Sequence, residues 1–178
     1  MPVLPQQLPR SYWQPLQDKF APALPSSAPQ LALLGLPLGG AGAGYSNSAV
    51  AIGPNTISQN GQSSTADATS QNWLYRYDKQ HLVPFGEFVP PFFQWFVRMM
   101  NIPLGDFSRG DVAQPSFVFK GERIAPNICY EDLFGEELAR SFSDPDKAPT
   151  IMVNLSNIAW FGDTVAIDQH LHISRMRA

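Results

Sequence analysis

Cys129 is the only cysteine in the chain, and it stands where an apolar run gives way to acids: Ile124-Ala125-Pro126-Asn127-Ile128-Cys129-Tyr130-Glu131-Asp132. That is how a buried strand ends in a tight turn that exposes one side chain. A second segment carries what a thiol needs in order to react: Lys79-Gln80-His81-Leu82-Val83-Pro84-Phe85-Gly86-Glu87. A free thiol has a pKa of about 8.5 and is a poor nucleophile at neutral pH. It needs a base to take its proton or a cation to hold the thiolate. Histidine is the common base, but the chain has only His81, His170 and His172. A Cys-His arrangement through His170 lacks an adjacent Asn or Asp in a recognisable signature. A carboxylate and a lysine do the same work. The carboxylate removes the proton, and the ammonium steadies the thiolate and then the oxyanion. The Tyr130 N–H, one residue past the nucleophile, is placed to donate into the same oxyanion hole. A lone cysteine at a strand end is usually a small buried hydrophobe. Lys79 and Glu87 gain weight only through the segment they share. Together the two segments point to covalent acyl chemistry.

The elements that must hold these residues follow from the rest of the chain. Its 178 residues suffice for one domain with a real core. Charged residues make up 15 % and apolar ones 44 %. The charged share is low against the usual quarter or so, so part of the surface is expected to face a partner or a lipid. A net charge of −3 without a basic stripe argues against nucleic acid. One cysteine excludes an intrachain disulfide and leaves the compartment open. No His/Cys/Asp cluster has metal-ligand spacing, so no metal or other cofactor is expected. The run Gly39-Gly40-Ala41-Gly42-Ala43-Gly44 lacks a following Gly-Lys-Ser/Thr, which discounts nucleotide binding. No stretch reaches the ~20 apolar residues of a spanning helix, and the start lacks the basic and apolar regions of a leader.

Apolar runs predict strands at 31–36, 45–52, 73–77 and 150–155, and a hairpin around Gly121 joining 117–119 to 123–128. Residues 39–44 and 54–71 read as loops. Helical patterns fall at 11–20, 91–104 and 133–143, with a last helix from Asp168 that places Leu171, Ser174 and Ala178 on one face. Segment 91–104 is apolar around most of its girth. It reads either as a core helix or as an interfacial arm or acyl-chain groove. Strands alternating with helices, and hairpins between them, predict α/β layers with a mixed sheet. No internal repeat is present. The Pro-rich opening and a final helix with no stop signal predict a chain cut at both ends. Glu131 and Asp132 also read as caps for the helix that follows, His81 as structural, and Glu136 and Glu137 as solvated.

Three ordered blocks resemble a known family. Lys79 to Glu87, continued by Phe88-Val89-Pro90, resembles the lysine motif of the nitrilase (carbon–nitrogen hydrolase) superfamily. Its long Gly-Glu-Phe-Val-Pro form is similar to that of one branch, the bacterial apolipoprotein N-acyltransferases. Asn127-Ile128-Cys129-Tyr130-Glu131 resembles the nucleophile motif of that branch. Ser156-Asn157-Ile158-Ala159-Trp160-Phe161-Gly162, with Gln169-His170 and Arg175-Met176-Arg177-Ala178, resembles its third block. The blocks cover roughly residues 73–178.

The resemblance implies a nitrilase-like α-β-β-α sandwich, here a partial carbon–nitrogen hydrolase domain over 1–178 that is incomplete at both ends. It implies an enzyme that takes a fatty acyl chain from a phospholipid onto cysteine as a thioester. The chain then passes to the N-terminal amine of a diacylglyceryl-cysteine apolipoprotein. Carried over by motif, Cys129 is the nucleophile and Lys79 the oxyanion-stabilising lysine. Glu87 and Glu131 match additional essential glutamates, and Trp160 and Phe161 a loop near the substrate entrance. The implied location is the bacterial inner (plasma) membrane, with this domain facing the periplasm. The sequence departs from the pattern in three ways. The superfamily's glutamate base belongs to a Trp-Pro-Glu-type motif that would fall just before residue 1; Asp18, Asp67 and Asp78 lie in no such motif. The flanking membrane helices are absent. Ile158 stands where many members have Asp. Two alternatives remain beside the acyltransferase reading. One is a soluble nitrilase-type amidase. The other is a catalytically dead truncated fragment, since loss of general-base help costs about 10²–10⁴ in rate.

Overall fold

A computed structural model of the chain describes residues 30–40, 44–52, 74–84, 86–89 and 107–177. The expected helices at 11–20 and 91–104 and the whole of the expected polar loop 54–71 lie outside them. Three strands, β1 (Ala32–Gly40), β2 (Gly44–Ile52) and β3 (Tyr75–Asp78), form an antiparallel sheet in the order β1-β2-β3. The central strand β2 buries four successive residues, Ala49, Val50, Ala51 and Ile52. The ends of the glycine run are not the loop that its composition predicts, and residues 41–43 lie outside the described residues. Gly39, Gly40 and Gly44 belong to the paired strands, with Gly39 opposite Tyr45 and Gly40 opposite Gly44. A Cβ on Gly39 would overlap the Tyr45 ring, so glycine there permits a close cross-strand approach. Pro37 is tolerated inside β1 because that strand stands at the end of the sheet order.

A second sheet contains β4 (Phe117–Phe119), β5 (Glu122–Ile128) and β6 (Ile151–Leu155). The β4–β5 hairpin turns on Lys120 and Gly121, with φ of 51° and 85°. Two left-handed residues match the right-handed strand twist in a two-residue turn. Strands β5 and β6 are parallel, from Ile124 opposite Ile151 to Ile128 opposite Leu155. Parallel neighbours need a crossover. Here it comprises a 3₁₀ turn (Cys129–Leu133) and helix α1 (Gly135–Arg140). The helix expected over 133–143 is therefore shorter, because Phe134, at φ −91° and ψ 67°, separates the two pieces.

The sheets face each other. Strand β2 packs against β5, and a Cβ on Gly35 of β1 would lie 3.9 Å from the Leu155 Cβ of β6. Val50, Ile52, Leu82 and Ile128 are buried between these elements. Each such side chain contributes roughly 1.5–3 kcal/mol. A final helix, α2 (Ala166–Arg175), packs on the 129–133 turn and on a second 3₁₀ turn, Ile158–Phe161. It starts one half-turn before Asp168, which sits in the first turn where the helix dipole favours an acid. Leu171 is exposed, whereas Ser174 turns to the Asp132 carboxylate. After Arg175 the chain turns, and the Arg177 side chain donates to the carbonyls of Asp132 (2.8 Å) and Leu133 (3.0 Å).

Candidate active site

Strand β3 ends at Asp78, one residue before Lys79. Strand β5 ends at Ile128, one residue before Cys129. The sheets thus deliver the lysine and the thiol from neighbouring strand ends. Lys79 is 1 % exposed, and its Nζ lies 3.0 Å and 2.9 Å from the two Glu87 carboxylate oxygens. A buried ammonium is tolerable only when paired in this way. Glu87 is held in turn. Its Oε1 accepts from Asn47 Nδ2 at 2.7 Å and its Oε2 from the Val83 N–H at 2.8 Å. The turn that carries it closes when the Gly86 and Glu87 N–H groups donate to the Val83 carbonyl. The Phe107 N–H donates to the Glu87 carbonyl at 3.0 Å, and the Gly110 N–H to the Lys79 carbonyl at 3.0 Å.

Cys129 has φ of 57°. An L-residue in this left-handed region costs roughly 1–2 kcal/mol. That is less than one buried core side chain returns, so the sheets can hold the strain. The conformation turns the chain sharply from strand into the 3₁₀ turn and leaves the thiol partly exposed. Tyr130 follows. The Lys79 Nζ lies 5.3 Å from its ring centroid, and its hydroxyl donates to the Leu82 carbonyl at 2.7 Å. Burial, and then the nearby Glu87 carboxylate, push the phenol above its ordinary pKa, so it stays a protonated donor. Lysine, thiol and Tyr130 therefore share one small region.

Glu131 is 5 % exposed and meets four donors. Its Oε1 accepts from the N–H groups of Gln80 (2.7 Å) and His81 (3.0 Å). Its Oε2 accepts from the Ile128 N–H (2.6 Å) and the Tyr77 hydroxyl (2.9 Å). One carboxylate thus ties the lysine segment to the nucleophile turn. Through Ile128 it caps that turn, not the helix after it. Asp132 does not cap α1 either: it is 2 % exposed, accepts from the Ser174 hydroxyl, and keeps one oxygen without a hydrogen-bond partner. Burial and Glu131 push the Tyr77 phenol well above its ordinary range.

His81 bonds Glu137 through Nδ1 at 3.0 Å and stacks on Phe134 with ring centroids 3.5 Å apart. It is a structural link, as its sequence context suggests. Glu137 departs from the solvated role expected of it, since it also accepts from the Gln80 side-chain amide; Glu136 is exposed. Phe161 is exposed in the Ile158–Phe161 turn. Trp160 lies in the same turn, and its side chain falls outside the described residues. His170 does not join a Cys-His pair. Its Nε2 lies 2.8 Å from Ser156 Oγ, 3.4 Å from Asn154 Oδ1 and 3.9 Å from Asp132 Oδ2.

The sequence reading missed Asn47, Tyr77 and Asn154. Asn47 and Tyr77 look like ordinary residues of alternating strands. Asn154 carried a visible signal, a polar side chain inside the apolar run Ile151-Met152-Val153-Asn154-Leu155. Among the described residues no group of His, Cys, Asp and Glu is arranged to hold a metal. No helix among them is long and apolar enough to cross a membrane.

Residues 40–178 match the carbon-nitrogen hydrolase family. Over its full length the chain is 55 % identical to an apolipoprotein N-acyltransferase of Verminephrobacter eiseniae (strain EF01-2), of which it covers 30 %. It is 48 % identical, over 99 % of its length, to an apolipoprotein N-acyltransferase of Bordetella bronchiseptica, of which it covers 32 %. The chain therefore spans about a third of the length of these curated relatives. The crystal structure of a carbon-nitrogen hydrolase from Helicobacter pylori G27 superposes with a TM-score of 0.55 at 15 % identity, covering 94 % of this chain and 46 % of that one. That likeness establishes the layered α/β fold.

Proposed function

Because the chain belongs to the carbon-nitrogen hydrolase family, we propose that it forms the acyl-transfer site of an apolipoprotein N-acyltransferase. The observation that carries this reading is the buried Lys79–Glu87 pair, its ammonium 5.3 Å from the ring of Tyr130, the residue after the left-handed Cys129. In the first half-reaction the Cys129 thiolate attacks an ester carbonyl of a phospholipid and forms a C–S bond. The Lys79 ammonium and the Tyr130 N–H receive the negative charge that builds on the carbonyl oxygen. The ester C–O bond then breaks, and a lysophospholipid alcohol leaves with a proton. In the second half-reaction the free α-amine of a diacylglyceryl-cysteine lipoprotein attacks the thioester. The C–S bond breaks, an amide forms, the thiolate returns, and the proton lost by the amine passes to the general base.

Two acids of the site are committed elsewhere. Glu87 holds Lys79, and Glu131 holds backbone donors. By the same family resemblance, the general base is a glutamate outside the described residues. The same reading puts the protein in the bacterial inner membrane, with this domain facing the periplasm. The phospholipid and the apolipoprotein are its partners, and the exposed Phe161 and its neighbour Trp160 lie near the substrate entrance.

The test uses the full-length protein in detergent micelles with a phosphatidylethanolamine of known acyl composition. The expected result is a Cys129 peptide heavier by one acyl chain, lost on adding hydroxylamine and absent from Cys129→Ala. An unmodified Cys129 peptide, with turnover of short amides instead, would favour the soluble amidase.

A further inference from the structure

We infer that Asn154 is a positioning residue for the oxyanion hole, acting through the peptide bond between Cys129 and Tyr130. This rests on the acyl-transfer reading above, in which the Tyr130 N–H is one of the two oxyanion donors. Asn154 comes from β6, the parallel neighbour of the strand that carries the nucleophile. Its Nδ2 lies 2.7 Å from the Cys129 carbonyl oxygen. That carbonyl can only accept, so the atom facing it must be the amide nitrogen.

The peptide bond is planar and trans. The Cys129 C=O and the Tyr130 N–H therefore point in opposite directions, and a group that fixes one aims the other. The clamp is needed because Cys129 sits at φ 57°. This is a conformation that a non-glycine residue leaves when it can, and leaving it would rotate the Tyr130 N–H. A hydrogen bond to the carbonyl also polarises the amide and makes its N–H a better donor.

Asn154 is itself fixed on every side. Its Nδ2 also donates to Asn127 Oδ1, and Asn127 is 3 % exposed. Its Oδ1 accepts from Ser156 Oγ at 2.9 Å and lies 3.4 Å from His170 Nε2. Ser156 and His170 are 2.8 Å apart, so they hold the amide in one orientation. The third sequence block thus reaches the nucleophile through Asn154, two residues ahead of its first residue.

The experiment compares two reactions of the same sulfur in the full-length protein. Acylation by p-nitrophenyl butyrate passes through an oxyanion and is read as release of p-nitrophenolate. Alkylation by iodoacetamide displaces iodide and builds no oxyanion. Asn154→Asp keeps the shape and the Oδ1 acceptor but loses the donor to Cys129; Asn127 can turn its own amide nitrogen towards the new carboxylate. We expect acylation to slow about 10- to 100-fold with little change in KM. Alkylation, measured on its high-pH plateau where the thiol is fully ionised and the new carboxylate no longer changes the thiolate fraction, should stay within about twofold.

An equal loss in both reactions, or no loss in either, would overturn the inference. Should Asn154→Asp fail to fold, Ser156→Ala decides. It frees one anchor of the amide and should slow acylation alone, by about fivefold as a fraction of the full donor effect; an equal drop in alkylation overturns the inference. A wild-type protein that is alkylated but never acylated would refute the acyl-transfer reading itself, and this inference with it. Acylation by wild type and Asn154→Asp at equal rates removes only the inference.

Discussion

Replacing Glu131 by glutamine separates a brace from a chemical participant. The carboxylate accepts two backbone N–H groups on Oε1, from Gln80 and His81, and the Ile128 N–H and Tyr77 hydroxyl on Oε2. A glutamine must place an NH₂ at one of the two positions. Against Gln80 and His81 it would face two donors that cannot reverse. It will therefore face Ile128 and Tyr77, where the phenol can turn and accept but the Ile128 N–H cannot. One buried N–H without a partner costs about 1–3 kcal/mol, and two bonds that lose their charge cost about 1 kcal/mol each. The sum is about 3–5 kcal/mol, in the range for breaking a buried charged contact.

For a domain of this size each kcal/mol lowers Tm by about 2–4 °C, so a drop of about 10 °C is expected. Amide exchange should localise it, with protection lost first at Ile128 and then at Gln80 and His81. Alkylation of Cys129 should change together with acylation, because both depend on the turn being held. A Glu131→Gln protein with unchanged Tm and alkylation rate but no acylation would refute this reasoning. It would put the Glu131 carboxylate in the chemistry.

Two further outcomes follow from the same geometry. Cys129→Gly should be more stable than Cys129→Ala by about 1 kcal/mol, since glycine adopts φ 57° without the penalty of a Cβ; chemical denaturation of the two inactive variants measures it, and a less stable glycine variant would contradict the strain. Tyr77 holds its proton in the folded state above the pH near 10 at which an unfolded tyrosine loses it. The stability this confers is complete below about pH 10 and falls by about 1.4 kcal/mol per pH unit above it. Tyr77→Phe should lessen the alkaline slope, leaving the share of Tyr75 and Tyr130, whose phenols are also pushed up, and cost about 1 kcal/mol at neutral pH, as urea unfolding between pH 8 and 11 would show. An unaltered alkaline slope would place the proton elsewhere.

The residues legible in the sequence were those whose meaning is carried by contiguous neighbours. Cys129 and Lys79 each stand one position past a strand, and the alternation that marks β3 and β5 also marks their ends. The hairpin at Gly121 was legible for the same reason, as its turn chemistry is local. Glu131 was visible as an acid, but its task was not, because its four donors come from β3, the lysine segment and β5. Gly39, Gly40 and Gly44 were misread because strand pairing overrode a composition that favours loops. The sequence placed Leu171 and Ser174 on one face of the last helix without saying what that face meets; α2 packs on the acid of a turn, which Ser174 and His170 approach.

The hydrogen bond from the Phe107 N–H to the Glu87 carbonyl closes a neck. The chain leaves the site at Glu87 and is back within one hydrogen bond of it twenty positions later (107 − 87). Ser108 and Gly110 then stitch the returning strand to Tyr45 and Lys79. Because the neck carries these bonds, the stretch strung between its two sides can vary in length or oiliness among descendants while the ammonium and its carboxylate keep their register. Closing entropy grows only slowly with the length of such a stretch. Selection can therefore change that stretch separately from the chemistry of the Lys79–Glu87 pair.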